Sequence, residues 1–87
     1  MIFKDLLVCR EQRYSIGVEE VTGKYYLSIP VSNRMIDYEE YYEIDNHEFN
    51  TFIDNPLLAL PLVEKCRKRE VDSRLLIKPG SDRGVAG

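Results

Sequence analysis

One histidine, two cysteines, no tryptophan and five glycines stand in 87 residues. Each shortage closes a route to chemistry. With His47 as the sole histidine there is no closely spaced Cys or His pair of the kind a structural zinc site uses. Nucleophilic catalysis needs a base held beside a Ser or Cys, and neither Cys9 nor Cys66 carries a local signature that would bring it to His47. Gly17, Gly23, Gly80 and Gly84 are scattered, so no phosphate-cradling loop is expected. Carboxylates are plentiful, but nothing in their spacing supplies the apolar cleft that separates an acid from a base. The expectation is a protein that is not an enzyme and uses no metal or cofactor.

Long apolar runs are missing as well. None approaches the roughly 20 residues that cross a bilayer, and Lys4 and Asp5 interrupt MIFKDLLV before a signal-peptide core could form. Two thiols 57 positions apart fit a reducing compartment better than a disulfide framework. A cytoplasmic location is the expected one.

What the chain does have is ordinary globular composition, 44% hydrophobic and 31% charged. Its length fits one domain over residues 1–87, able to bury a little over roughly 60% of its extended-chain surface. Net charge is −3 but segmented: +1 over residues 1–35, −7 over 36–54 and +3 over 55–87.

Alternation from Arg13 to Asn33 predicts a hairpin. A two-residue loop at Thr22-Gly23 places Val18 opposite Leu27, Ile16 opposite Ile29 and Tyr14 opposite Val31, all on one face. Pro30 cannot donate to a ladder, so one side of its strand is expected to end, bulge or stay unpaired there. Residues 35–45 admit a strand, with Ile36, Tyr38, Tyr42 and Ile44 on the apolar face and Glu40 as an exception. They also admit a helix starting at Asp37. Tyr and Ile suit a pleated surface, and Ser32-Asn33-Arg34 suits a turn, which favours the strand. Helices are expected at about 46–54, capped by Asp45 or Asn46, and at about 61–70, after Asn55-Pro56 and a short LLAL turn. A C-terminal strand at 74–78 and a flexible tail at 80–87 complete the expectation. Leu6–Cys9 is too short for periodicity to decide between strand and helical turn. The fold class is α+β: a small antiparallel sheet with helices packed on one face.

Five tyrosines lie between Tyr25 and Tyr42, and Asp37–Asp45 reads DYEEYYEID without a cation. Under the strand reading, Tyr38 and Tyr42 enter the core, while Asp37, Glu39, Tyr41, Glu43 and Asp45 form the other surface. The simplest account is a solvated strand face. Like charges on it repel by roughly 0.6 kcal/mol per neighbouring pair in water, so a compensating cation is expected. Lys24, Arg34 or Arg13 could supply it, and so could a basic protein, with Tyr41 as an anchor. The leading expectation is therefore a protein-binding module for a basic partner. Its concrete form is an immunity-type inhibitor of a nuclease toxin, in which carboxylates stand where substrate phosphates would. The alternative is a self-associating structural or accessory subunit, a homodimer through a sheet edge or the turn Leu57–Leu62. Lys65, Arg67, Lys68 and Arg69 form a second, basic patch that could touch phosphates. Cations at a helix end facing solvent explain that run without nucleic acid, and nucleic acid is not the expected partner.

Overall fold

The computed structural model describes residues 1–86. Strands β1 (Phe3–Cys9), β2 (Tyr14–Glu19), β3 (Tyr25–Ser32) and β4 (Asp37–Ile44) form an antiparallel meander in the order β1-β2-β3-β4. Helices α1 (Asn46–Asp54) and α2 (Leu60–Arg67) follow, separated by a 3-10 turn at Pro56–Ala59. A short β5 (Val85–Ala86) pairs with β3. The fold is α+β, with a small antiparallel sheet as its framework.

Within residues 35–45 the strand reading holds for Asp37–Ile44, in register with β3 from Tyr25↔Ile44 to Ser32↔Asp37, while Met35 and Ile36 lie before it and are exposed, so Ile36 does not join the apolar face. The hairpin of β2 and β3 also forms, but two residues out of the expected register: Ile16 faces Leu27 and Val18 faces Tyr25. An even shift keeps every side chain on its expected face. The cause is the loop, which spans Glu20–Gly23 instead of two residues, with Glu19 N donating to Lys24 O at 2.8 Å. Glu19 holds it shut. Its carboxylate accepts from Thr22 Oγ1 at 2.7 Å, Thr22 N at 2.8 Å, Val21 N at 3.0 Å and Ile2 N at 2.7 Å. Those donors, the Thr22 hydroxyl first and Ile2 N next, hold its pKa down at about 2. Pro30 causes no break on the β4 side. Pairing with β2 stops at Ser28, and β5 takes the edge that β2 leaves at Val31 and Ser32.

One face of the sheet carries the main core. Tyr14, Ile16, Leu27, Ile29, Val31, Tyr42 and Ile44 meet Phe52, Ala59, Val63 and Cys66 from the helical half. Helix α1 starts where sequence placed it: Asp45 Oδ1 accepts from Glu48 N at 2.7 Å and Glu48 Oε1 from Asp45 N at 2.9 Å, a capping box. Helix α2 ends at Arg67, short of the expected residue 70, as Arg69 takes a left-handed φ of 59°. Among the described residues no helix is long and apolar enough to cross a membrane.

The expected strand at 74–78 is corrected. Asp72–Arg74 is a 3-10 turn, Leu75 makes one isolated bridge to Tyr42, and Leu76 N donates to Tyr41 O at 2.9 Å. On the N-terminal side of this bridge the Arg74 side chain, not a backbone amide, donates to Glu43 O, at 3.1 Å. The C-terminal strand is β5 instead, inside the segment that composition alone assigned to a flexible tail. That segment also carries Arg83, which binds Glu40 and Asp72 under the sheet.

The opposite face is not bare. Phe3 of β1 stacks on Tyr41 of β4 with centroids 3.6 Å apart and planes at 11°. Neighbouring strands sit about 4.8 Å apart, so a flat sheet would hold rings on these two strands roughly 14 Å apart. The sheet therefore curls around this side. Tyr26 fills the concavity, edge-on to Phe3 at 5.4 Å and to Tyr41 at 5.0 Å, and is fully buried. Gly17, its cross-strand partner, makes room for it: an added Cβ would collide with Lys4 O and the Tyr26 hydroxyl.

Candidate binding surface

β4 lends its alternate residues to two different environments. Tyr38, Glu40, Tyr42 and Ile44 turn toward the helices, and Glu40, Tyr42 and Ile44 are buried. Asp37, Glu39, Tyr41 and Glu43 turn to the curled outer face, as the strand reading expected.

Tyr41 is the fixed element of that outer face. Held between Phe3 and Tyr26, it is half-buried, and its phenol pKa is raised by burial and by the charges of Glu39 and Asp5. Tyr26 donates to Asp5 Oδ1 at 2.5 Å, and its own pKa is raised by burial first and by Asp5 next. Glu39 lies on the same face, exposed but crowded. Its carboxyl is pushed up by desolvation, with the Asp5 charge adding to it; the Ser28 hydroxyl and Arg13 pull the other way without cancelling the shift. Ser28 Oγ is buried and has no hydrogen-bond partner among the described residues. Its effect on Glu39 is therefore that of a nearby dipole, since the geometry of a bond is not met.

The remaining residues separate. Glu43 reaches Lys24 Nζ at 3.5 Å with both side chains nearly half exposed, a contact worth little in water. Asp37 is exposed at the end of β4. Asp37 and Glu39 enter no ion pair among the described residues. Asp45 lies past the strand, where its carboxylate caps α1. The structure thus brings Glu39, Tyr41 and Glu43 together on one strand face, places Asp37 at its end and gives Asp45 a helix-capping contact. Sequence reasoning missed Phe3, Asp5 and Ser28. Phe3 and Asp5 share the alternation of one strand, but β1 has a bulge between Asp5 and Leu7, and that break hid the pattern.

The basic run is divided. Arg67 binds Glu64 at 2.7 Å and Gln12 O, and Arg69 donates to Gly84 O at 2.9 Å, which leaves Lys65 and Lys68 exposed. His47 sits exposed in the first turn of α1. Cys66 is 1% exposed, and burial pushes its thiol up to about 12, where it is no nucleophile at neutral pH. Among the described residues no group of three His, Cys, Asp or Glu side chains is placed to hold a metal ion.

Comparison with known proteins gives no relative: no family model matches the chain, and no curated protein or solved structure matches it.

Proposed function

We propose that the outer face of β4 is a docking surface for a basic protein. The observation that carries this reading is the pairing of a rigid, half-buried Tyr41 with carboxylates at Asp37 and Glu39 that have no ion-pair partner among the described residues. A phenol held by stacking loses little conformational freedom when a partner covers it, and uncompensated carboxylates speed encounter with Lys and Arg. Asp5 extends the acidic surface from β1. Asp45 belongs to its margin, because docking there competes with its capping bond. In its concrete form the protein is a non-catalytic, cytoplasmic inhibitor of a nucleic-acid-handling enzyme, such as the immunity partner of a nuclease toxin. The analogy rests on size and charge placement and is one of surface chemistry, not of fold.

Self-association is the second reading, favoured by β1. It is an edge strand with Leu6 and Val8 half exposed, and Leu57 and Leu58 add an exposed apolar turn elsewhere.

Affinity capture from the protein's own cell extract separates the two. A basic partner retained at low salt, released at high salt and lost from the Glu39→Gln/Glu43→Gln double variant supports docking through the outer face. Retention unchanged in that variant removes the reading. A stable dimer of the purified chain, unaffected by the double variant, supports self-association.

A further inference from the structure

Residues 82–86 meet the rest of the fold as a bound peptide would. Arg83 lies across two carboxylates: Nε and Nη2 donate to Glu40 at 2.7 and 3.1 Å, while Nη1 and Nη2 donate to Asp72 at 2.6 and 2.9 Å. Tyr42 Oη, which donates to Glu40 at 3.0 Å, closes the third side. The fork of a guanidinium fits this double bidentate seat; an ammonium does not.

Gly84 follows, with both backbone polar groups read by side chains. Its N–H donates to Tyr38 Oη at 2.6 Å, and its carbonyl accepts from Arg69 Nη2 at 2.9 Å. A Cβ here would come within 2.7–2.9 Å of the Ser32 backbone, so the position accepts glycine alone. Val85 and Ala86 then add as a strand to the free edge of β3 at Ser32 and Val31. An Arg seat, a Gly seat and main-chain addition to a sheet edge are the parts of strand-addition peptide recognition. The residues joining this segment to the body, 77–82, are all exposed.

We propose that the groove between β3, Tyr38, Glu40 and Asp72 is a binding site for an extended peptide carrying Arg followed by Gly, and that the chain's own Arg83-Gly84 fills it as a tethered ligand. The tether keeps the internal ligand at an effective concentration in the millimolar range, so an outside peptide competes poorly until the tether is cut or the internal Arg is weakened. A second copy of this chain carries the same sequence and could exchange it reciprocally. The groove lies on the helix side of β4 and is independent of the outer-face docking surface.

The test uses the full chain with a protease site inserted between Gly80 and Ser81 and cut after folding. The probe is a fluorescein-labelled Ser-Asp-Arg-Gly-Val-Ala peptide followed by anisotropy. The cut protein should take up the probe saturably, and the intact protein at least 100-fold more weakly. A probe with Ala in place of its Gly should lose binding, and one with Lys in place of its Arg should bind at least tenfold more weakly. Failure of the probe to enter the cut protein, equal binding of the Ala probe, or loss of the fold on cutting each overturns the proposal. A variant that keeps the tether and the charge gives a separate reading. Intact Arg83→Lys protein should bind the original probe at least tenfold more tightly than the unaltered chain, and equal affinities overturn the proposal.

Discussion

Glu39 and Glu40 are adjacent in β4, identical in chemistry and opposite in circumstance. Glu40 is 7% exposed on the helix side, where Arg83 supplies the charge it lacks. Glu39 faces the curled outer side, has no ion pair among the described residues, and is made harder to ionise by its surroundings. The pair shows that an acid on a strand is neither structural nor functional by type. What decides is whether the fold delivers a counter-charge to its face. On the helix side it does, from 43 residues away; on the outer face no described residue forms an ion pair with Glu39.

The contrast breaks most readily at Arg83. Arg83→Ala leaves Glu40 charged and unpaired in the interior and should lower unfolding free energy by about 3–5 kcal/mol, whereas Glu39→Ala should change it by less than about 1 kcal/mol. Urea denaturation of both variants measures the difference, and similar costs would end the distinction between the two acids. A second test asks whether the outer face is packed as the inner one is. Gly17→Ala drives a methyl into Tyr26 and the Lys4 carbonyl and should cost about 1–3 kcal/mol by the same measurement. Little change would mean that Tyr26 moves aside freely and the outer cluster is loose.

Acid titration sharpens the comparison further. Glu19 has a folded pKa of about 2, below its ordinary value of 4.5. The stability it supplies is therefore complete above about 4.5 and is lost as pH falls toward 2. Asp72, lowered first of all by its bond to Arg83, contributes in the same direction. The urea midpoint should fall across that window, and Glu19→Gln should flatten the slope there. Glu39 has the reverse sign, since a raised carboxyl pKa opposes folding as pH rises through it. Glu39→Gln should thus stabilise the fold at pH 7, by no more than about 0.5 kcal/mol for so exposed a group, while weakening capture of a basic partner. Partner capture by unaltered protein should also fade at a higher pH than an ordinary carboxylate would set, because Glu39 protonates earlier.

Much of this contrast was legible from local pattern. Alternation assigned Tyr38, Tyr42 and Ile44 to one face and Glu39, Tyr41 and Glu43 to the other, and Asp45 with Glu48 announced the start of α1. The hairpin faces were legible but its register was not. Thr22-Gly23 looked like a complete turn, and no local rule says that the carboxylate of Glu19 will close a longer one. Glu40 was visible as an anomaly, yet its partner lies in a segment whose composition suggested nothing to bury. The outer aromatic cluster stayed hidden for a related reason. Phe3 and Tyr41 meet only after four strands have curled, and sheet curvature leaves no mark on residue spacing. What the sequence conveyed was mostly short-range, with Lys24 opposite Glu43 as an exception; the Arg83 seat and the outer aromatic cluster, made by folding distant segments together, it withheld.

The Arg83 seat also sets an order of events during synthesis. Glu40 emerges from the ribosome 43 residues ahead of its cation. Until Arg83 arrives, β4 settles on the helices at Tyr42 and Cys66 only at the cost of stranding that carboxylate, so the closed form is less stable. The sheet is therefore held closed most firmly only after the segment carrying Arg83 has been made. A released chain ending at residue 80 should have Cys66 alkylated faster than the chain that carries Arg83.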